Sequence, residues 1–310
     1  MTIYLPIAEM PINILALLIL GGVTGILAGM FGIGGGFLMT PLLMLMGVSP
    51  AVAVASSANQ IVATSFSGFL AHWRRKNVDI KIGIFMTLGG VIGAIIGVLL
   101  FAQMKKLGMI DVVIAICYVL FLGSVGILMA KESWQYLQGS EKKSANEVPP
   151  NIVWRKMQNL PWKVYFPRSE ITISGFLPIL IGVLVGLLIA LMGIGGGFIT
   201  IPAMIYLLGI PTAFVVGTAL FQSVFITSLV TLLHSIHTQT VDIVLVMLMV
   251  LSSVVGAQYG AKLGAKIPPE KLRALLAFMI LAVVLKLALG LLIAPNDPFS
   301  VDIISVTRNS

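Results

Sequence analysis

Ten apolar stretches, separated by short polar or glycine-containing breaks, make up most of the chain. They run over residues 11–31, 37–47, 50–71, 82–102 and 109–130, and then, beyond a polar stretch at 131–173, over 174–192, 198–208, 211–233, 243–261 and 274–294. Most reach the ~20 residues that a helix needs to cross a hydrocarbon core. The second and seventh hold only 11 residues each, roughly 16 Å of helix, and read as partial spans. Each opens on the same glycine run, Gly32-Ile33-Gly34-Gly35-Gly36-Phe37 and Gly193-Ile194-Gly195-Gly196-Gly197-Phe198, and carries a proline at the same distance, Pro41 and Pro202. A glycine inside a helix costs about 1 kcal/mol relative to alanine. Three in a row at membrane depth therefore mark the end of a helix. Such a break is tolerated only where the freed backbone is buried in protein or lines a wet cavity.

Composition turns this pattern into a class. Of 310 residues 58% are hydrophobic and 10% charged, with a mean hydropathy of +1.08, whereas soluble domains carry roughly a quarter charged residues. The expected fold is an all-α polytopic membrane protein. The net charge of +8 resides largely in short loops between apolar segments, where it sets orientation instead of binding nucleic acid. The single cysteine, Cys117, has no disulfide partner. No Lys or Arg precedes the apolar residues 12–28 and no small-residue cleavage site follows them, so this segment reads as a retained first helix. The 16 methionines and 15 phenylalanines read as packing and lipid-facing residues, and no cofactor is expected.

The two halves repeat each other. Pro50 matches Pro211, Asn59-Gln60 matches Phe221-Gln222, Thr64-Ser65 matches Thr227-Ser228, and His72 matches His234. Val78-Asp79 then matches Val241-Asp242, and Val91-Ile92-Gly93-Ala94 matches Val254-Val255-Gly256-Ala257. The loop after the third segment carries Arg74, Arg75, Lys76 and Lys81, while its counterpart before Val241 has no Lys or Arg; the next pair reverses the bias, Lys105 and Lys106 against Lys262, Lys266, Lys271 and Arg273. Corresponding loops that exchange basic content belong on opposite sides of a membrane, and five segments per half, an odd number, invert the second half. Three regions follow: an N-terminal transmembrane repeat at 1–130, a cytoplasmic linker at 131–173 with an interfacial part near Trp154 to Phe166, and a C-terminal inverted repeat at 174–310. Both termini are then expected outside the plasma membrane. Inverted repeats with broken helices are the architecture of secondary transporters.

The paired Gly-Ile-Gly-Gly-Gly-Phe runs, each followed by proline, and the stretch Val216-Gly217-Thr218-Ala219-Leu220-Phe221-Gln222 resemble the TauE/SafE sulfite exporter family. The resemblance covers both halves and implies a plasma-membrane permease for small sulfur-containing anions such as sulfite or organosulfonates. Ala55-Ser56-Ser57-Ala58-Asn59-Gln60 is more polar than its partner in the second half, and the long central stretch is an addition.

Helix ends supply the chemistry for a small anionic substrate. A glycine run that opens a helix presents unpaired N–H groups at the positive end of the helix dipole, and such an end holds an oxyanion without a basic side chain. Gly34, Gly35 and Gly36 with Gly195, Gly196 and Gly197 are accordingly the first substrate-binding candidates; the alternative is glycine placed for close helix packing. Asn59, Gln60, Thr218 and Gln222 are the next, since polar groups in a span face other helices or a substrate. His72 and His234 are candidates for proton coupling, as imidazole titrates near neutrality, weighed against interfacial residues without such a role. Lys286 alone among the charged residues lies well inside an expected helix, either to attract the anion or to snorkel. Asp79 and Asp242 read as helix caps. A passive anion channel and a permease for another small organic anion remain open as alternatives. An enzyme is not expected, because no His-Glu-x-x-His, Gly-x-Ser-x-Gly or intramembrane aspartate pair occurs.

Overall fold

The computed structural model describes residues 2–31, 33–137, 162–264 and 269–292. Gly32, the middle of the linker and the chain beyond 292 lie outside the described residues. Ten α-helices and two short hairpins are seen among those described. The first repeat runs β1 (Thr2–Leu5), β2 (Met10–Asn13), α1 (Ile14–Phe31), α2 (Gly36–Leu45), α3 (Pro50–Arg74), α4 (Ile80–Lys106) and α5 (Ile110–Leu137). The second runs β3 (Lys163–Phe166), β4 (Ile171–Ser174), α6 (Phe176–Met192), α7 (Gly197–Tyr206), α8 (Thr212–Leu233), α9 (Ile243–Gly264) and α10 (Pro269–Leu292). A π-helical turn, His234–Thr238, extends α8. The two short segments are helices of ten residues, as their length requires.

Five described helices are long and apolar enough to cross a membrane. Helix α3 is long enough too, at 25 residues. Its hydropathy is lower because one face carries Ser56, Ser57, Gln60, Thr64 and Ser65, all buried against protein.

Helix contacts show the inversion directly. Gly68 of α3 lies against Leu220 of α8, and Gly217 of α8 lies against His72, so the two partners run antiparallel. Gly123 and Gly126 of α5 meet Val284 and Ile280 of α10 in the same opposed sense. Each of these helices thus packs on its own counterpart across a pseudo-two-fold axis. The remaining long helices exchange repeats. Helix α1 runs along α9, with Gly21, Gly25 and Gly29 against Ser252, Ser253 and Ala257, and α6 runs along α4 in the equivalent register. A Cβ at Gly25 would sit 2.3 Å from the Ser253 carbonyl oxygen, and one at the equivalent Gly186 would sit 2.1 Å from that of Gly90. Only glycine permits backbones this close.

The hairpins were not expected, and they show that each repeat begins earlier than its first apolar helix. Strands β1 and β2 pair antiparallel, as do β3 and β4. Ile3-Tyr4-Leu5-Pro6 and Val164-Tyr165-Phe166-Pro167 correspond, and both turns close on a glutamate at positive φ, Glu9 at 54° and Glu170 at 53°. The second hairpin falls in the range that the sequence reading assigned to the linker. Each hairpin serves the other repeat. The Asp242 carboxylate accepts from the N–H groups of Ile7 and Ala8 (2.9 and 3.3 Å), while Asp79 accepts from the Ser169 N–H and hydroxyl (3.2 and 2.7 Å). Both aspartates also cap the helices they precede, Asp79 through Ile82 N–H and Asp242 through Val244 and Leu245 N–H. Two fully buried carboxylates are thereby satisfied by backbone and hydroxyl donors.

The loop after α3 and the Gln239 turn after α8 lie at opposite ends of this antiparallel pair. In a Cys117→Ala background, Asn77→Cys and Gln239→Cys should react with a membrane-impermeant maleimide from opposite sides of sealed vesicles. Labelling of both from one side would overturn the inverted insertion.

Candidate functional site

The two glycine tips meet at the pseudo-two-fold axis. Helix α1 ends at the glycine run, where the chain turns back and continues as α2; α6 and α7 do the same in the second repeat. Gly34 (φ 85°), Gly35 (77°), Gly193 (62°) and Gly195 (77°) make these turns in the left-handed region, which a side chain would strain. Ile33 of one tip lies against Gly197 of the other, and a Cβ at Gly36 would sit 2.7 Å from the Gly193 carbonyl oxygen. Phe37 stacks on Phe198, centroids 5.1 Å apart and planes 9° apart. The Thr40 hydroxyl reaches the Gly193 carbonyl at 3.5 Å, and the Tyr118 hydroxyl donates to that of Met192. The carbonyls freed by the second break thus find partners inside the protein.

Around the tips stand polar groups that do not. The Thr64 hydroxyl donates to the Gly34 carbonyl, 2.9 Å. Close by, the hydroxyls of Ser57 and Ser65 and both amide atoms of Gln60 are buried with no hydrogen-bond partner. Ser57, Gln60, Thr64 and Gly68 recur at helical spacing, so they share one face of α3. Across the axis the hydroxyl of Ser223 and the amide nitrogen of Gln222 are equally orphaned, although the Gln222 oxygen accepts from the Thr200 hydroxyl at 3.5 Å. A Cβ at Gly34 would sit 2.9 Å from Ser65 Oγ, and one at Gly196 2.6 Å from Ser223 Oγ. An unpartnered buried polar group costs roughly 1–3 kcal/mol. Several of them lie beside the two buried helix N-termini at Gly36 and Gly197.

One cavity of about 400 Å³ leads to this place. Its deep end is Gly34 and Thr64, its walls are Ser67, Gly68, Ala71 and Leu220, and its mouth carries His72, Arg75, Gln258 and Lys262. The mouth lies on the face that bears the Arg74–Lys81 loop, here called the basic face. Gln60 sits one helical turn deeper than Thr64, about 5 Å further along α3.

At the opposite end of the α3–α8 pair the equivalent histidine is enclosed. His234 is fully buried; its Nε2 lies 3.0 Å from the Ala190 carbonyl, its Nδ1 3.1 Å from the Thr238 hydroxyl, and Phe101 packs edge-on at 4.6 Å. The Lys105 ammonium donates to the Thr238 carbonyl, 2.7 Å. The carbonyl equivalent to Ala190 in the first repeat belongs to Gly29, which lines the open cavity beside His72, and His72 Nδ1 has no partner. The two histidines thus occupy equivalent positions in different states.

Other candidates fall elsewhere. Asn59 lies in a shallow groove between α3 and α9, with Val62, Phe66, Ile243 and Val250, away from the tips. The Thr218 hydroxyl accepts from the Asp79 N–H, 2.9 Å, just as Ser56 serves Asp242 at 3.3 Å; both hold the junctions ahead of α4 and α9. This symmetric pair sets a register of 162 residues along α3 and α8, so Thr64 falls on Ile226 and Ser65 on Thr227, one residue from the match read in the sequence. Lys286 is exposed on α10, beside the exposed Leu285 and Leu289. Arg75, Lys262, Ser67 and Gln258 were not singled out from sequence. Their only signal was position, at or within a few turns of the basic ends of α3 and α9.

Two inverted repeats, each with a helix broken at its glycine run and the breaks in contact, define a multi-pass membrane protein with the architecture of secondary transporters. The family described as sulfite exporter TauE/SafE matches residues 17–287, and the chain belongs to it. The probable membrane transporter protein YjnA of Bacillus subtilis (strain 168) is 27% identical over 275 residues, covering 88% of this chain and 98% of that protein. YunE of the same organism, also named a probable membrane transporter protein, is 29% identical over 213 residues, 66% of this chain and 72% of its own. A probable membrane transporter protein of Xylella fastidiosa (strain 9a5c) is 27% identical over 209 residues, 64% and 66% of the two chains. No solved structure gives a significant match.

Gln60 separates a binding role from a structural one. Gln60→Leu removes an unsatisfied buried amide, so the thermal midpoint in detergent should hold or rise. Transport should fall about tenfold or more, the loss expected for one hydrogen bond to a charged ligand. A lowered midpoint with normal transport would assign Gln60 to packing.

Proposed function

We propose that this membrane transporter carries small sulfur-containing oxyanions, with sulfite and organosulfonates as the first candidates, and that the anion sits between the glycine tips. The observation that supports this most is the cluster of unpartnered donors beside two helix N-termini. N–H groups at a helix start, a hydroxyl and an amide nitrogen all suit an oxygen-rich anion. The family description, sulfite exporter, points the same way. Backbone and neutral side chains hold the charge, which leaves the bound anion free to depart once the path opens.

A carrier is favoured over a pore. The cavity on the basic face ends at Gly34 and Thr64, and beyond it α8 presents Ile226, Leu229, Val230 and Leu233 where α3 presents Thr64, Ser67, Gly68 and Ala71. His234, Phe101 and Lys105 close that side. In an alternating cycle, His72 would take the Gly29 carbonyl as His234 takes that of Ala190, while the latter opens. The histidines then act as gate contacts, and coupling to a proton is a further role they can serve only while exposed. By the distribution of Lys and Arg, the basic face is cytoplasmic and both termini lie outside the plasma membrane.

Flux into proteoliposomes, measured across sulfite, thiosulfate, a sulfonate and a carboxylate of similar size, tests this. Saturable, gradient-dependent uptake that prefers the sulfur oxyanions is the expected result. Unsaturable conductance would establish a channel, and preference for the carboxylate would move the substrate class.

A further inference from the structure

We propose that Arg75 and Lys262 form an anion-capture station at the mouth of the cavity, one cation from each repeat. The proposal rests on the anion reading of the glycine tips. Basic residues on this face are of two kinds. The first kind is engaged: Arg168 donates to the Lys76 carbonyl at 3.2 Å, and Lys81 donates to the Tyr165 carbonyl at 2.7 Å with its ammonium 5.5 Å above the Phe166 ring. These tie the β3–β4 hairpin to the α3–α4 loop. Arg75 and Lys262 make no such contact among the described residues, and both line the cavity. Arg74 and Lys76, the neighbours of Arg75 in sequence, do not line it. Orientation alone, which needs only basic residues near the helix ends, does not require two free cations to share one cavity wall.

Below the cations the lining is neutral. Gln258, His72, Ser67 and Thr64 lead down to Gly34, and Arg75, the C-cap of α3, stands eleven residues from Thr64, about 16 Å along the helix axis. That distance exceeds a Debye length of about 8 Å at physiological ionic strength. The charges therefore act at the entrance: they raise the local anion concentration and then hand the ion to uncharged donors, which hold it less tightly. A cation at the tip itself would retain the anion and slow its release. The station also belongs to one face. Residue 237, equivalent to Arg75 at the 162-residue register, is histidine, and residue 99, equivalent to Lys262 at 163, is leucine.

The test is the half-saturating sulfite concentration applied to the basic face of sealed vesicles. Arg75→Gln and Lys262→Gln should each raise it about three- to tenfold with little change in maximal rate, while Arg74→Gln leaves it unchanged and Arg75→Lys restores it. Added inert salt should raise the wild-type value towards that of the variants, because exposed charges are screened. An equal effect of Arg74→Gln would overturn the station in favour of a general surface charge, and a wild-type value indifferent to salt would overturn any capture by charge at the entrance. The salt titration uses unmodified protein, so it tests capture by charge even if a variant fails to insert. Absence of saturable sulfite flux in the wild type would instead indict the anion reading itself.

Discussion

The fold depends on bringing two backbone breaks into contact. A broken helix leaves N–H and C=O groups without partners, and in hydrocarbon each such group costs several kcal/mol. Here neither repeat shields its own break alone. The glycine tip of α1–α2 is covered by the tip of α6–α7, with Phe37 stacked on Phe198, and Thr40 of the first repeat reaches the Gly193 carbonyl of the second. Glycine is required for two reasons at once: positive φ turns the chain, and the missing Cβ lets Ile33 and Gly197 touch. The exchange of α1 and α6 between repeats, and of the hairpins that serve Asp79 and Asp242, follows from the same need. The two halves form one unit.

Much of this was legible in the chain. Helix lengths follow from apolar runs bounded by glycine, proline and charge, and the inversion follows from loop lysines and arginines that exchange sides. The hairpins were missed because strands of four residues leave too little alternation to detect beside long apolar helices, although Tyr-Leu-Pro and Tyr-Phe-Pro do repeat at the right distance. Within α3, Asn59 and Gln60 looked alike. Adjacent residues on a helix differ by about 100°, and only the packing of α9 and the glycine tip shows that one faces a groove and the other the centre. Thr218 was read as a ligand and serves instead as the acceptor that fixes Asp79, a role invisible without its partner 139 residues away. Lys286 drew notice because a charge in a span is costly. It is exposed on α10 and away from the glycine tips, an arrangement compatible with the snorkelling alternative.

Comparison of the repeats separates what is fixed from what differs. The α1–α9 and α4–α6 seams superpose contact for contact: Gly25 on Ser253 matches Gly186 on Gly90, and Gly260 on Ile26 matches Gly97 on Leu187. Backbones held this closely leave no room for a side chain at these glycines. The departures lie at the ends of α3 and α8. There His234 is bonded and enclosed while His72 borders a cavity, and Phe101 of the first repeat covers His234, whereas its equivalent in the second repeat is Gly264. Equivalent sequence positions in unequal environments fit the alternating carrier proposed above, held in one of its two states. On that proposal the ends of α3 and α8 would exchange roles about the stacked phenylalanines, with the neutral donors between the tips remaining in place while access to them changes.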